Sequence, residues 1–291
     1  MMAEQEWVID DEVVGPLAFD VDVAGPEDGE LVILLHGFPQ TNHCWRDVIG
    51  PLADAGYRVL APNQRGYSPG ARPSAVEAYG TDRLAADVLA LADGAGAERF
   101  HVVGHDWGAV VAWRLAVDSP ERLLSVSPLS VPHPRAFADA VFGDKSGDGE
   151  QAQRSSYVAM FREEGSEDGM LANDAIGLRM LYIGSGFSVE ESAPYLEALG
   201  TVDALRSALN WYRAGDLTMV GMDDVTLPTL YVWSTSDVAL GRAGAEATER
   251  YCVGPYRFVV LEGIDHWIPE HATDDLVREL LAWFSAHGAQ S

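Results

Sequence analysis

Short aliphatic runs punctuate the first half of the chain, and each stops at a residue that favours a turn. Leu31 to Leu35 is continuous and of strand length, ending at His36-Gly37. Tyr57 to Ala61 ends at Pro62, and Phe100 to Val103 ends at Gly104. Predominantly apolar runs of this length fit strands buried on both faces of a sheet. Between the second and third runs the period changes. Leu84, Val88, Leu91 and Ala92 fall on one side of a helix predicted from Thr81 to Gly96. Thr81 is its expected cap, and Gly94 and Gly96 mark its end. Trp107 to Val117 reads as a helix that follows the third strand directly. Strands alternating with helices predict an α/β fold, with a mostly parallel sheet flanked by helices.

After Pro132-His133-Pro134 the pattern is different. Residues 135–220 contain no convincing buried strand and read as helical pieces with polar loops, including the Gly/Asp-rich stretch from Gly143 to Glu150. Strands resume at Thr229 to Trp233 and Arg257 to Leu261. A closing helix from about Thr273 to His287 carries Leu276, Leu280, Leu281 and Phe284 as its apolar stripe. The core is therefore assigned to 1–134 and 221–291, and an inserted helical segment to 135–220.

Composition narrows the class. A chain of 291 residues, 47% of them hydrophobic, is long enough for a sizeable core and too apolar for general disorder. No apolar run reaches the roughly 18 residues of a membrane helix. Met1 to Glu6 is polar and acidic, unlike a secretory signal, so a cytoplasmic protein is expected. The net charge of −26 disfavours nucleic acid and anionic lipid as partners. Lys145 is the only lysine, which fits either salt adaptation or a biased coding composition. Cys44 and Cys252 make no disulfide framework, and no Cys/His spacing resembles a zinc site. Neither a P-loop nor a dinucleotide fingerprint follows a strand, so no cofactor and no metal are expected. The oligomeric state is left open.

Gly104-His105-Asp106-Trp107-Gly108 joins a predicted strand to a predicted helix. In a nucleophile elbow a sharp turn lifts one side chain above the sheet, and small residues are needed two before and two after it. The central residue is Asp106; the alternative is an ordinary turn whose Asp caps the helix. The literal G-x-S-x-G at Gly66 to Gly70 is rejected, because Pro69 follows its Ser68 and has no N–H to give an oxyanion. No strong strand leads directly into it, and no helix is expected after it. A carboxylate nucleophile displaces a leaving group at saturated carbon and forms an alkyl ester of the enzyme. Water activated by a histidine then attacks the ester carbonyl. The expected oxyanion donors are the Phe38 and Trp107 N–H groups. Asp237, in the loop after the strand at 229–233, is the expected orienting acid, with Asp265 as its rival. His266, after the strand at 257–261, is the expected base, in the order nucleophile, acid, histidine. His36 and His105, at motif edges, are expected to be structural.

These residues, taken with Arg65-Gly66-Tyr67-Ser68, resemble the α/β-hydrolase fold and, within it, the epoxide hydrolases. The resemblance covers nearly the whole chain and implies a helical cap over the elbow. In the insert, Tyr157 with Phe161 looks like the family's first cap tyrosine, and Leu209-Asn210-Trp211-Tyr212-Arg213 like its second. Tyr182 and Tyr195 are alternatives to Tyr157. The implied activity is hydrolysis of a small epoxide by water to a vicinal diol, with Tyr157 and Tyr212 protonating the opening oxygen. Phe38, Trp107 and Trp267 are expected to line the substrate pocket. Two other readings remain: a haloalkane dehalogenase with the same nucleophile, and a catalytically silent binding protein. Asp265 departs from the family, which more often has a small residue before the histidine, and a second carboxylate there is expected to act on His266.

Overall fold

In the computed structural model, which describes residues 2–143, 149–215, 217 and 222–289, the chain opens with two antiparallel strands, β1 (Ala3–Asp11) and β2 (Gly15–Ala24). Neither is among the predicted elements. The signal lies in β2, where Leu17, Phe19 and Val21 point into the core and the residues between them do not. That strict alternation marks a strand buried on one face. The predicted runs form β3 (Leu31–Leu35), β4 (Arg58–Pro62) and β5 (Phe100–His105). A further unpredicted strand, β6 (Leu123–Leu129), follows. Ser125, Ser127 and Pro128 interrupt its apolar run, yet it is buried throughout. Ser125 Oγ meets His101 Nδ1 of the neighbouring strand at 2.7 Å, so that hydroxyl is not left unpaired by burial. The strands β7 (Thr229–Ser234) and β8 (Tyr256–Leu261) complete the sheet.

The order across the sheet is β1-β2-β4-β3-β5-β6-β7-β8. The pairs β1/β2 and β2/β4 are antiparallel, and all the others are parallel. Three helices intervene in the first half: α1 (Arg46–Asp54), α2 (Thr81–Gly94) and α3 (Trp107–Asp118). In α2 the cap position is Gly80 and Thr81 is the first helical residue, with no side-chain capping bond, contrary to expectation. Its end is as predicted, with Gly96 in the left-handed region at φ +73°.

Between β6 and β7 the described residues form only helices: α4 (Pro134–Phe142), α5 (Glu150–Arg154), α6 (Tyr157–Arg162), α7 (Ser166–Gly184), α8 (Val189–Leu199) and α9 (Val202–Ala214). The backbone of α7 leaves helical geometry at Ala172–Ala175. Residues 144–148 of the Gly/Asp-rich stretch, and the expected boundary at 220/221, lie outside the described residues. The first insert helix, α4, packs on α10 (Arg242–Ala247), whereas α6 to α9 pack mainly on one another. The chain ends with α11 (Ile268–His271) and α12 (Thr273–His287). Among the described residues no helix is long and apolar enough to cross a membrane.

The connection from β3 runs to β4 on one side, while β5 pairs on the other side of β3. This reversal opens a crevice at the carboxyl ends of β3 and β5, where open α/β sheets bind ligands. The insert is tied across that edge. Trp211 Nε1 donates to the Arg65 carbonyl at 2.7 Å, Tyr182 Oη to the Pro39 carbonyl at 2.5 Å, and Trp267 Nε1 to the Ser185 carbonyl at 3.0 Å.

Candidate active site

Asp106 stands between β5 and α3 with φ 52° and ψ −120°, outside the regions a non-glycine residue prefers. Backbone held this way costs on the order of 1–3 kcal/mol and persists only where its surroundings enforce it. The enforcement is visible in the two flanking glycines. A Cβ on Gly104 would run into the Gly108 carbonyl, and one on Gly108 into the Leu35 carbonyl. Asp106 occupies the cap position of α3 but makes no side-chain capping bond, so the simple capping reading fails.

Its carboxylate is engaged at both oxygens. Oδ1 accepts from the Phe38 N–H at 2.9 Å. Oδ2 lies 3.5 Å from His266 Nε2. Gly37 makes the first contact feasible, since any side chain there would collide with Asp106. The Phe38–Pro39 peptide is cis. The Trp107 N–H opens α3 and belongs to the first turn, whose amides have no partner within the helix.

His266 follows β8, and its Nδ1 meets Asp237 Oδ2 at 2.8 Å. Asp237 follows β7 and is fully enclosed; its Oδ1 accepts from the Ala239 and Leu240 N–H groups at 2.8 and 3.0 Å. Burial would raise the Asp237 carboxyl, but His266 and these bonds hold it below its ordinary value. Burial alone would depress His266. The Asp237 charge and the hydrogen bond to Asp106 outweigh that and push it up to about 10. The rival acid, Asp265, points elsewhere: both its oxygens lie 2.9 Å from His271 Nδ1, and Oδ1 also accepts the Trp267 N–H. The expected action of Asp265 on His266 thus has no direct contact behind it.

Ser130 was not among the predicted site residues. It follows β6 in a left-handed conformation, φ 72°, and its Oγ donates to Asp237 Oδ2 at 3.0 Å beside His266 Nδ1 at 3.1 Å. A polar residue at the carboxyl end of the strand next to β5 is the signal that would have found it. His36 is structural, as expected: it receives the Gln64 N–H at Nε2 and ties the first loop to that segment.

Two cavities meet at Asp106. The larger, of about 110 Å³, is lined by Phe38, Tyr157, Phe161, Tyr212, His266 and Trp267 among others. The smaller, of about 20 Å³, lies toward Trp107, Val131 and Phe137. Asp106, Tyr157 and Tyr212 border both. The structure thus brings together every predicted site residue. Tyr182 and Tyr195 line neither cavity; their hydroxyls are committed to the Pro39 carbonyl and to Glu270. Tyr212 is buried, with its ring 5.3 Å from Phe38 and 5.0 Å from Trp107. Tyr157 is half-buried overall, its ring 6.4 Å from that of Tyr212. Burial, reinforced by the nearby Asp106 charge, raises both phenols above the usual tyrosine range.

A family profile described as the alpha/beta hydrolase fold matches residues 30–147. Epoxide hydrolase A of Mycobacterium tuberculosis is 35% identical over 301 residues, spanning 90% of this chain and 92% of that protein. The chain belongs to the epoxide hydrolases of the α/β-hydrolase superfamily. A superfamily protein of Bacillus subtilis, YfhM, is also 35% identical, over 91% of this chain and 93% of its own length. Among solved structures, epoxide hydrolase A from Mycobacterium thermoresistibile superposes with a TM-score of 0.83 at 30% identity, covering 99% of this chain and all of that one. An epoxide hydrolase from hot-environment metagenomes reaches 0.85 at 28% identity, over 98% of this chain. For an epoxide hydrolase the informative detail is Trp211. It neighbours Tyr212 in sequence, yet its N–H is spent on the Arg65 carbonyl and its ring is fully buried. It is therefore not free to hold a departing anion in the cavity.

Proposed function

We propose that this chain hydrolyses a small epoxide to a vicinal diol in two steps. Asp106 Oδ2 attacks a ring carbon and the C–O bond breaks. Tyr157 or Tyr212 gives its proton to the departing oxygen, leaving a hydroxyalkyl ester on Asp106. The conjugate acid of the developing alkoxide is several units weaker than an ordinary phenol, so a phenol donates usefully. Burial raises the pKa of both tyrosines, which keeps them protonated across the working range.

Esterification removes the Asp106 charge. Part of what kept His266 protonated is then gone, and its proton returns through the cavity to the phenolate. Neutral His266, oriented by Asp237, takes a proton from water, and the hydroxide attacks the ester carbon. Negative charge develops on Oδ1, already facing the Phe38 N–H at 2.9 Å, with the Trp107 N–H as second donor. Collapse breaks the bond between the Asp106 carbon and the substrate oxygen, which takes the proton from His266, so the diol leaves; the carboxylic acid formed at Asp106 then returns its proton to His266.

The observation that carries this reading is the two phenols bordering the same cavities as Asp106. A dehalogenase needs N–H donors toward a halide. Trp211 is committed elsewhere, and Phe38 occupies the first-loop position where an amide side chain would serve. The lopsided cavity favours epoxides with one small and one larger apolar substituent. The test is a paired assay on purified protein with Asp106→Ala as control. An aryl epoxide should give diol, and a bromoalkane no halide. Halide without diol would overturn the proposal. No protein or nucleic-acid partner is required, and a cytoplasmic setting is part of the same reading.

A further inference from the structure

Behind the catalytic histidine runs a buried polar chain that the mechanism does not use. His105 Nε2 faces the His266 carbonyl at 2.8 Å, and His105 Nδ1 faces Gln40 Oε1 at 2.7 Å. Gln40 Nε2 is placed to donate to Glu270 Oε1 at 2.7 Å, and Tyr195 Oη donates to the same oxygen at 2.7 Å. Gln40, His105 and Tyr195 are fully enclosed, and Glu270 Oε2 is buried without a partner among the described residues.

Counting protons along this chain fixes its state. The His266 carbonyl only accepts, so His105 Nε2 carries a hydrogen. A neutral His105 then has a lone pair at Nδ1 and must receive a hydrogen from Gln40. That requires the Gln40 amide to be turned end for end, exchanging the positions of its nitrogen and oxygen, so that its NH2 faces His105, its oxygen faces Glu270, and Glu270 must donate. The opposite amide orientation requires His105 to be doubly protonated, 4.8 Å ring to ring from His266. Burial and the His266 charge oppose that and push His105 down to about 4. An ionised Glu270 beside a neutral His105 leaves two lone pairs facing each other somewhere in the chain, whichever way the amide turns.

We propose that Glu270 is a positioning residue that works as a neutral carboxylic acid, donating to Gln40 and through His105 fixing the carbonyl of His266. The inference rests on His266 being the base. The groups facing Glu270 are Tyr195 and Tyr182 from the insert, Cys44 and Arg46 from the segment at α1, and its neighbour His271. Burial dominates and pushes Glu270 up to about 7, against the Tyr195 and Gln40 hydrogen bonds and the Arg46 and His271 charges, which favour the ionised form. The neutral form therefore prevails below that pH and is lost as pH rises through it.

The test compares wild type, Glu270→Gln and Glu270→Ala between pH 5.5 and 9, following the lifetime of the Asp106 ester on an aryl epoxide. A glutamine amide donates to Gln40 at every pH. Glu270→Gln should match wild type at pH 6 and lack the slowing of ester hydrolysis that wild type develops above pH 7. Glu270→Ala should hydrolyse the ester at least tenfold more slowly throughout, with ester formation little changed. Superimposable wild-type and Glu270→Gln profiles, or a Glu270→Gln as slow as Glu270→Ala, would overturn the proposal. Infrared difference spectra at pH 6 give a readout independent of turnover. The C=O stretch of a protonated carboxyl should be present in wild type and missing in Glu270→Gln, and its absence from wild type would also overturn it. Failure of the epoxide reading itself would look different: wild type would form no ester, while the carboxyl band remained.

Discussion

His266 Nε2 lies 3.5 Å from Asp106 Oδ2, while the other oxygen of that carboxylate is held by the Phe38 N–H. The two oxygens are thus distinguished before substrate arrives, and with the Asp237 charge they keep His266 protonated. This has a consequence for stability. His266 is raised from 6.5 to about 10 in the folded protein, so its contribution is complete below pH 6.5 and is lost as pH rises through 10. Asp106→Asn removes the Asp106 share of that effect. Urea midpoints from pH 6.5 to 10 should fall less steeply for Asp106→Asn than for wild type; equal slopes would refute the linkage.

Tyr157 and Tyr212 both border the cavities at Asp106, but their supports differ. Tyr212 is fully packed between Phe38, Phe161 and Trp107, whereas Tyr157 is half-buried on the short helix α6. Removing a positioned general acid costs roughly 10²–10⁴-fold. The double Tyr→Phe variant should lose that much in the rate of ester formation. Each single variant should lose less, because the other phenol remains. Stopped-flow fluorescence of Trp107, beside the nucleophile, follows the step. Unchanged rates in the double variant would remove the tyrosines from the mechanism.

The parts of the fold legible in the sequence are those where local pattern and tertiary environment agree. The runs ending at Leu35, Ala61 and Val103 are buried over nearly their whole length and predominantly apolar, with Arg58 and His101 as their only polar residues. In β6, Ser125, matched to His101 on the next strand, Ser127 and Pro128 break the apolar run in three places, and a search for hydrophobic runs passes over it. Thr81 looked like a cap because of its type, but the chain enters α2 one residue earlier. The elbow, acid and histidine were legible because each follows a recognisable strand. Ser130 and Glu270 were not. One follows the unpredicted strand, and the other acts through partners far apart in sequence: Glu270 reaches Gln40 across 230 positions. Asp265 illustrates the converse, since adjacency to His266 in sequence turned its carboxylate toward His271.

Arg65 links the stability of the core to the placement of the insert. Its guanidinium bonds Asp87 at 2.8 and 2.6 Å, Asp11 at 2.7 Å and the Ala78 carbonyl at 2.8 Å, all in the interior. Its own carbonyl receives the Trp211 N–H. Burial pushes Asp87 up to about 6 even with the guanidinium opposing it. Breaking a buried pair from one side costs about 3–5 kcal/mol, because a charge is stranded. Arg65→Met should lose stability of that order in urea unfolding, and a loss under 1 kcal/mol would mean that the network is replaceable.

The neighbouring Gly66-Tyr67-Ser68-Pro69-Gly70 is no rival nucleophile site. A short 3₁₀ turn, Pro69–Ala71, does follow it, where no helix was expected. The Ser68 hydroxyl nevertheless donates to the Asn63 carbonyl at 2.6 Å within the fold. Ser68→Ala should leave the catalytic cycle intact, and loss of diol formation in a folded Ser68→Ala protein would contradict this.

The fate of one oxygen atom separates the two-step scheme from direct attack of water on the epoxide. When the ester collapses, the bond that breaks joins the Asp106 carbon to the oxygen carrying the substrate. The diol therefore leaves with an oxygen that belonged to Asp106, and the oxygen of water stays in the carboxylate. In a single turnover in ¹⁸O-water, with enzyme in excess, the diol should contain no label and the peptide containing Asp106 should gain one. Only on repeated turnover should label reach the product. His266→Ala supplies the complement: it still forms the ester but cannot activate water, so the intact protein should gain the mass of one epoxide. Labelled diol in the first turnover, or a His266→Ala protein that never carries an adduct, would mean that Asp106 serves as a base for water, and the elbow's strained geometry would need another explanation.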